Sequence, residues 1–103
     1  MIQPTPIKRS YLERSILSEH ELRLFCTALE MTGWWTCHEI TERSTLKRRI
    51  VHQHLTRWLK LGLLERIKLS PDHRWRVAPA ASDQPHYTRL AETAKRLGWL
   101  EEK

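Results

Sequence analysis

A chain of 103 residues has room for one domain with a single modest core, and its 40% hydrophobic and 29% charged residues describe a soluble globular protein, which excludes a disordered tail. No apolar run approaches the ~18 residues of a membrane span, and no signal-peptide core opens the chain, so the expectation is a cytoplasmic protein without a membrane partner. Two cysteines, Cys26 and Cys37, cannot make a disulfide framework. The net charge of +6 is concentrated: residues 43–76 hold ten Lys/Arg against Glu65 and Asp72, a balance of +8, while the remainder sums to −2. A basic focus on a slightly acidic body is the footprint of a polyanion binder.

Residues 1–17 read as an N-terminal basic arm, with Pro4, Pro6, Lys8 and Arg9, followed by a short helical turn. Ser18 and Glu21 form a capping-box pattern, and Leu22, Phe25, Cys26 and Leu29 behind them follow helical spacing up to a stop at Gly33. Trp34-Trp35 is too short for an independent strand but suited to pairing with a hairpin edge. Thr36 and Glu39 repeat the capping box and start a helix of about two turns with Ile40 inward. Ser44-Thr45 breaks it, and Leu46 plugs the turn. The next helix ends at Gly62. At 100° per residue, Val51, Leu55, Trp58 and Leu59 share one side, and Arg49, His52, Gln53, Thr56, Arg57 and Lys60 the other.

Residues 63–69 are β-compatible and meet the turn composition Ser70-Pro71-Asp72-His73. Arg74-Trp75-Arg76-Val77 alternates, with Trp75 and Val77 inward. Residues 79–85 are a linker by composition. From His86 a last helix carries Tyr87, Leu90, Ala91, Ala94 and Leu97 at core spacing, and serves either packing on the first helix or dimerisation.

This order of elements resembles the winged helix-turn-helix regulators, MarR-like or ArsR-like in layout, most closely over the stretch HEITERSTLKRRIVHQHLTRWLKLGLLER. Ile40 and Leu46 match where that family packs its two helices together. Val51, Leu55 and Leu59 match the inner face of its recognition helix. The chain departs at Ser44, where many members carry leucine, and no glycine opens the turn. The resemblance implies an α+β, mainly α fold: a three-helix core plus β-hairpin wing over residues 18–78, with an additional C-terminal helix over 86–103.

If the third helix enters a major groove, Arg49 suits guanine and Gln53 adenine, while Thr56 or His52 adds a hydrogen bond or methyl contact. Lys47, Arg48 and Lys60 suit phosphates, and Arg57 either role. From the turn and wing, Ser44, Thr45, Lys68, His73, Arg74 and Arg76 would reach phosphates or a minor groove. The expected function is sequence-specific double-stranded DNA binding by a small transcriptional regulator, with a homodimer through the C-terminal helix as one option. The rival is a protein-interaction module that uses the basic face for an acidic partner.

No Gly-rich phosphate loop or nucleophile elbow is present, so catalysis is not expected, and no cofactor or small-molecule ligand is evident. Cys26, Cys37, His38, His52 and His54 are metal-ligand types without metal-ligand spacing, so no metal is expected either. Cys26 reads as a buried core thiol. Cys37, at a helix start, is either a structural thiol or a redox-sensitive one. His54, beside Ile50 and Trp58, reads as packed and hydrogen-bonded. Trp34, Trp35, Trp58 and Trp75 read as core and wing supports, the sharper alternative being stacking on unpaired bases.

Overall fold

The computed structural model describes residues 18–100. The arm and helical turn expected over residues 1–17 lie outside the described residues. Among the described residues, four α-helices and one antiparallel hairpin follow in the order α1 (Glu19–Glu30), α2 (Cys37–Ser44), α3 (Arg48–Lys60), β1 (Leu64–Ile67), β2 (Arg74–Val77) and α4 (Pro85–Arg96). This is the mainly helical α+β architecture expected.

The Ser18 hydroxyl caps α1 by accepting the Glu21 N–H at 3.1 Å. The reciprocal half of the box is not made, because Glu21 shares the inward stripe of Leu24, Phe25 and Ala28 at helical spacing. Its carboxylate is 0% exposed. Trp58 Nε1 donates to its Oε2 at 2.9 Å, and His86 Nε2 lies 2.7 Å from the same oxygen. A buried carboxylate without partners would cost several kcal/mol; these two contacts offset part of that on Oε2, leave Oε1 without a partner among the described residues, and tie α1 to α3 and α4. The same rotation of the stripe leaves Cys26 and Leu29 only partly buried, where the spacing argument put them in the core.

Met31 caps the C-terminus of α1, and Gly33 turns the chain at φ +67°. Trp35 then exchanges both backbone hydrogen bonds with Trp75, at 2.8 and 2.7 Å, adding the short third rung anticipated beside the hairpin. Thr36 and Glu39 complete their capping box at 3.1 and 2.8 Å and launch α2. The turn into α3 has no glycine, and Thr45 takes the left-handed conformation at φ 60° in its place. That is a costly position for a β-branched residue. α3 begins at Arg48, with Lys47 as its N-cap.

Val51, Leu55 and Trp58 bury the inner side of α3, with Leu59 at its margin. β1 and β2 pair in the register Leu64↔Val77, Glu65↔Arg76, Arg66↔Trp75 and Ile67↔Arg74, which turns Leu64 and Trp75 toward the core. The compositional linker is more than a tether: it holds a 3-10 turn, Ala81–Asp83, with Ala81 buried. α4 starts with proline in its first turn, where the missing N–H costs nothing. Leu90 and Ala94 sink into the shared core, and Tyr87 meets Phe25 edge-on at 5.1 Å. Leu97, placed in the core by its spacing, is instead exposed as the C-cap of the helix, which ends at Arg96.

Candidate nucleic-acid interface

The face opposite the core of α3 is where the charge collects. Arg48, Arg49, His52, Gln53, Arg57 and Lys60 are exposed along it, with Thr56 half-buried and Lys47 at its head. The packing of Val51, Leu55 and Trp58 leaves them no other direction. Among the described residues, Lys47, Arg48, Arg49, Arg57 and Lys60 form no ion pair. Their charge is open to a partner.

The hairpin stands beside this helix and presents a second set. Lys68 and His73 at its tip are exposed, and Arg74 is half-buried. Arg76 is already engaged. Its Nε bonds Glu65 Oε1 across the strands at 2.8 Å, and its guanidinium lies 4.6 Å over the Trp34 ring. Arg66, absent from the candidates drawn from sequence, stacks similarly on Trp75 at 5.5 Å. Trp35, Trp58 and Trp75 are buried supports, whereas Trp34 keeps one side in solvent as a platform for Arg76.

Ser44 is corrected. It is 2% exposed, on the same face of α2 as Ile40, and its hydroxyl bonds the Thr41 carbonyl and accepts the Leu46 N–H. It shapes the turn and has no path to a phosphate. Thr45, one residue on, is exposed.

One concavity adjoins the basic face, and a second lies between the end of α1, Trp34-Trp35 and α2. The first, of about 150 Å³, lies between the start of α2, the first turns of α3 and the hairpin tip. The second, of about 480 Å³, is lined by Glu30, Glu39, Glu42, Arg43, Trp34 and Trp35 among others and is acidic in character. Among the described residues, no three His, Cys, Asp or Glu side chains converge as a metal site. Burial raises the Cys26 thiol pKa, with the Glu30 charge adding to it, so this thiol is a poor nucleophile. His54 does pack on Trp58, ring centroids 6.2 Å apart, but without the hydrogen bond anticipated for it among the described residues. Burial lowers its pKa, helped by Arg57, His20 and His86 and opposed by Glu21.

No protein-family model matches the sequence, and no curated protein matches it. Solved structures do. The transcriptional repressor BigR from Xylella fastidiosa superposes at a TM-score of 0.56 with 16% identity, over 98% of this chain and 99% of that one. A MarR-family transcription regulator, SP03579, gives 0.58 with 18% identity, over 92% and 68%. This is a winged helix-turn-helix fold. Its helix-turn-helix is α2 and α3, its wing the β1–β2 hairpin. Human N-acetylserotonin methyltransferase also matches, at 0.56 and 16% identity over 81% of this chain but only 26% of that enzyme. The fold alone therefore does not name an activity, and the chemistry of the exposed side chains has to. Among the described residues, no helix is long and apolar enough to cross a membrane.

Proposed function

We propose that this protein binds double-stranded DNA sequence-specifically through α3 and the wing, and acts as a transcriptional regulator in the cytoplasm. One observation carries the reading: an exposed helix face of cations without ion pairs among the described residues, interleaved with hydrogen-bonding side chains, held by buried aliphatic and Trp packing and flanked by a cationic ribbon. Arg49 and Gln53 are the base-reading pair. Lys47, Arg48, Arg57 and Lys60 anchor the backbone with Thr45, Lys68, His73 and Arg74. Arg76 contributes less, its charge being shared with Glu65. The free thiols of Cys26 and Cys37 fit a reducing compartment.

The same reading includes a two-fold dimer. α4 spends Leu90 and Ala94 on its own core, but Leu97 and Trp99 beyond it are 54% and 41% exposed. Apolar groups of that size at one end of the chain suit pairing of two copies, which would read half-sites about one helical turn apart.

Selection of sites from random duplexes tests the function directly. A DNA reader enriches a motif and binds it with steep salt dependence. Enrichment of nothing, with no mobility shift at low salt, would leave the rival of an acidic protein partner. Sedimentation of the free protein as a monomer at all concentrations would remove the dimer.

A further inference from the structure

We propose that the cleft between α2, α3 and the hairpin tip is a proton-linked clamp that seats one backbone phosphate of duplex DNA and tightens as its histidines take up protons. This rests on the DNA-binding reading and adds a regulation to it. Three separate segments bring chemistry to the cleft: Cys37 and His38 from α2, Arg48 and His52 from α3, and Asp72 and His73 from the tip. A helix lying in a groove with a ribbon beside it leaves the sugar–phosphate strand passing between them. The cleft opens at that place.

Size and charge choose the occupant. At about 150 Å³ the cleft suits a group of a few heavy atoms, such as one phosphate. It falls below the roughly 300–1,000 Å³ of organic-ligand pockets. With the imidazoles neutral, Arg48 and Asp72 cancel and the lining carries no net charge. Each protonated histidine adds one positive charge, up to three. The cleft thus passes from neutral to anion-selective as its imidazoles take up protons. Glu42, 3.2 Å from His38, offsets part of the gain on the α2 side. The Arg48 guanidinium disfavours a metal cation in the same space.

The experiment is fluorescence anisotropy of a labelled duplex at constant salt from about pH 8 to about pH 6, with circular dichroism confirming the folded protein throughout. Each proton taken up on binding steepens the affinity by about tenfold per pH unit at most, so a rise of roughly ten- to a hundredfold is expected. The triple variant His38→Asn/His52→Asn/His73→Asn should flatten that slope whatever its absolute affinity. His73→Asn alone, at the exposed tip, should remove part of it, and His20→Asn on α1 none. A flat wild-type profile, or a triple variant that keeps the slope while binding duplex, overturns the clamp and leaves DNA binding standing. Failure to bind any duplex at any pH sinks both. Proton uptake of equal size with inorganic phosphate at matched concentration would show a general anion site and overturn the assignment to the duplex backbone.

Discussion

α3 and the hairpin carry cations of the same kinds, yet they use them differently. The α3 cations face solvent without ion pairs among the described residues. On the hairpin, Arg76 is paired with Glu65 and stacked on Trp34, and Arg66 is stacked on Trp75. A guanidinium that is already bonded and stacked is pre-oriented, and it has less left to gain from a phosphate. Charge counting therefore overstates the hairpin and describes α3 well. In the proposed reading the α3 cations keep their charge for DNA, whereas Arg66 and Arg76 first brace the ribbon.

The largest expected effect breaks the support of the helix. Trp58→Ala removes a fully buried ring and the donor to Glu21, and should cost about 3–5 kcal/mol, a large share of the stability of a small domain. Thermal unfolding measures it, and a loss below about 1 kcal/mol would mean that α3 is not anchored through this residue. Next come Arg49→Ala and Gln53→Ala. Each should weaken the selected duplex by about 1–3 kcal/mol and relax its sequence preference, with unfolding unchanged. Unaltered preference in both would move base reading off the exposed arc of α3.

The contrast with the hairpin is sharpened by a pair of substitutions. Arg74→Ala should weaken all sequences alike and lower the salt slope of binding by about one unit. Arg76→Ala should lower it clearly less, because its partner Glu65 already neutralises it. Equal slopes for the two variants would show that the cross-strand ion pair opens on DNA at no cost. A smaller effect is expected in the turn. Thr45→Gly relieves a left-handed β-branched residue at φ 60° and should stabilise the fold by about 1 kcal/mol. Denaturant unfolding reads it, and destabilisation would mean that the threonine side chain compensates for its backbone.

Local rules made most of this fold legible in the sequence. The Thr36–Glu39 capping box and the Val51–Leu55–Trp58 spacing each depend on residues within one or two turns of one another. What stayed hidden depends on where elements meet. Glu21 suits an N-cap box and an inward helical stripe equally well, and only the arrival of Trp58 and His86 selects the second. Ser44 is polar by type but occupies the inward position after Ile40. The engagement of Arg76 follows from hairpin register, which sets it opposite Glu65 and brings Trp34 alongside. Of the candidate site, the α3 arc was readable from periodicity. The cleft that gathers His38, His52 and His73 was not, since its members lie on three elements.

The smallest effect concerns pH, and it separates the support of α3 from its exposed face. Burial lowers the His54 pKa, so the folded protein binds a proton there less readily than the unfolded chain does. Where the unfolded state binds more protons, stability rises with pH. The contribution of His54 is therefore fully present above the ordinary histidine value of about 6.5 and is lost as pH falls through the folded value. His54→Asn should flatten this part of the stability profile relative to wild type, read as the difference in denaturation midpoint between mildly alkaline and mildly acidic solution. The duplex-affinity slope should survive the same substitution, because His54 lies on the Trp58 side of α3 and not in the cleft. If His54→Asn abolished both slopes together, the protons that loosen the core and those that tighten DNA binding would be the same ones, and the division of α3 into a supporting side and a reading side would fail.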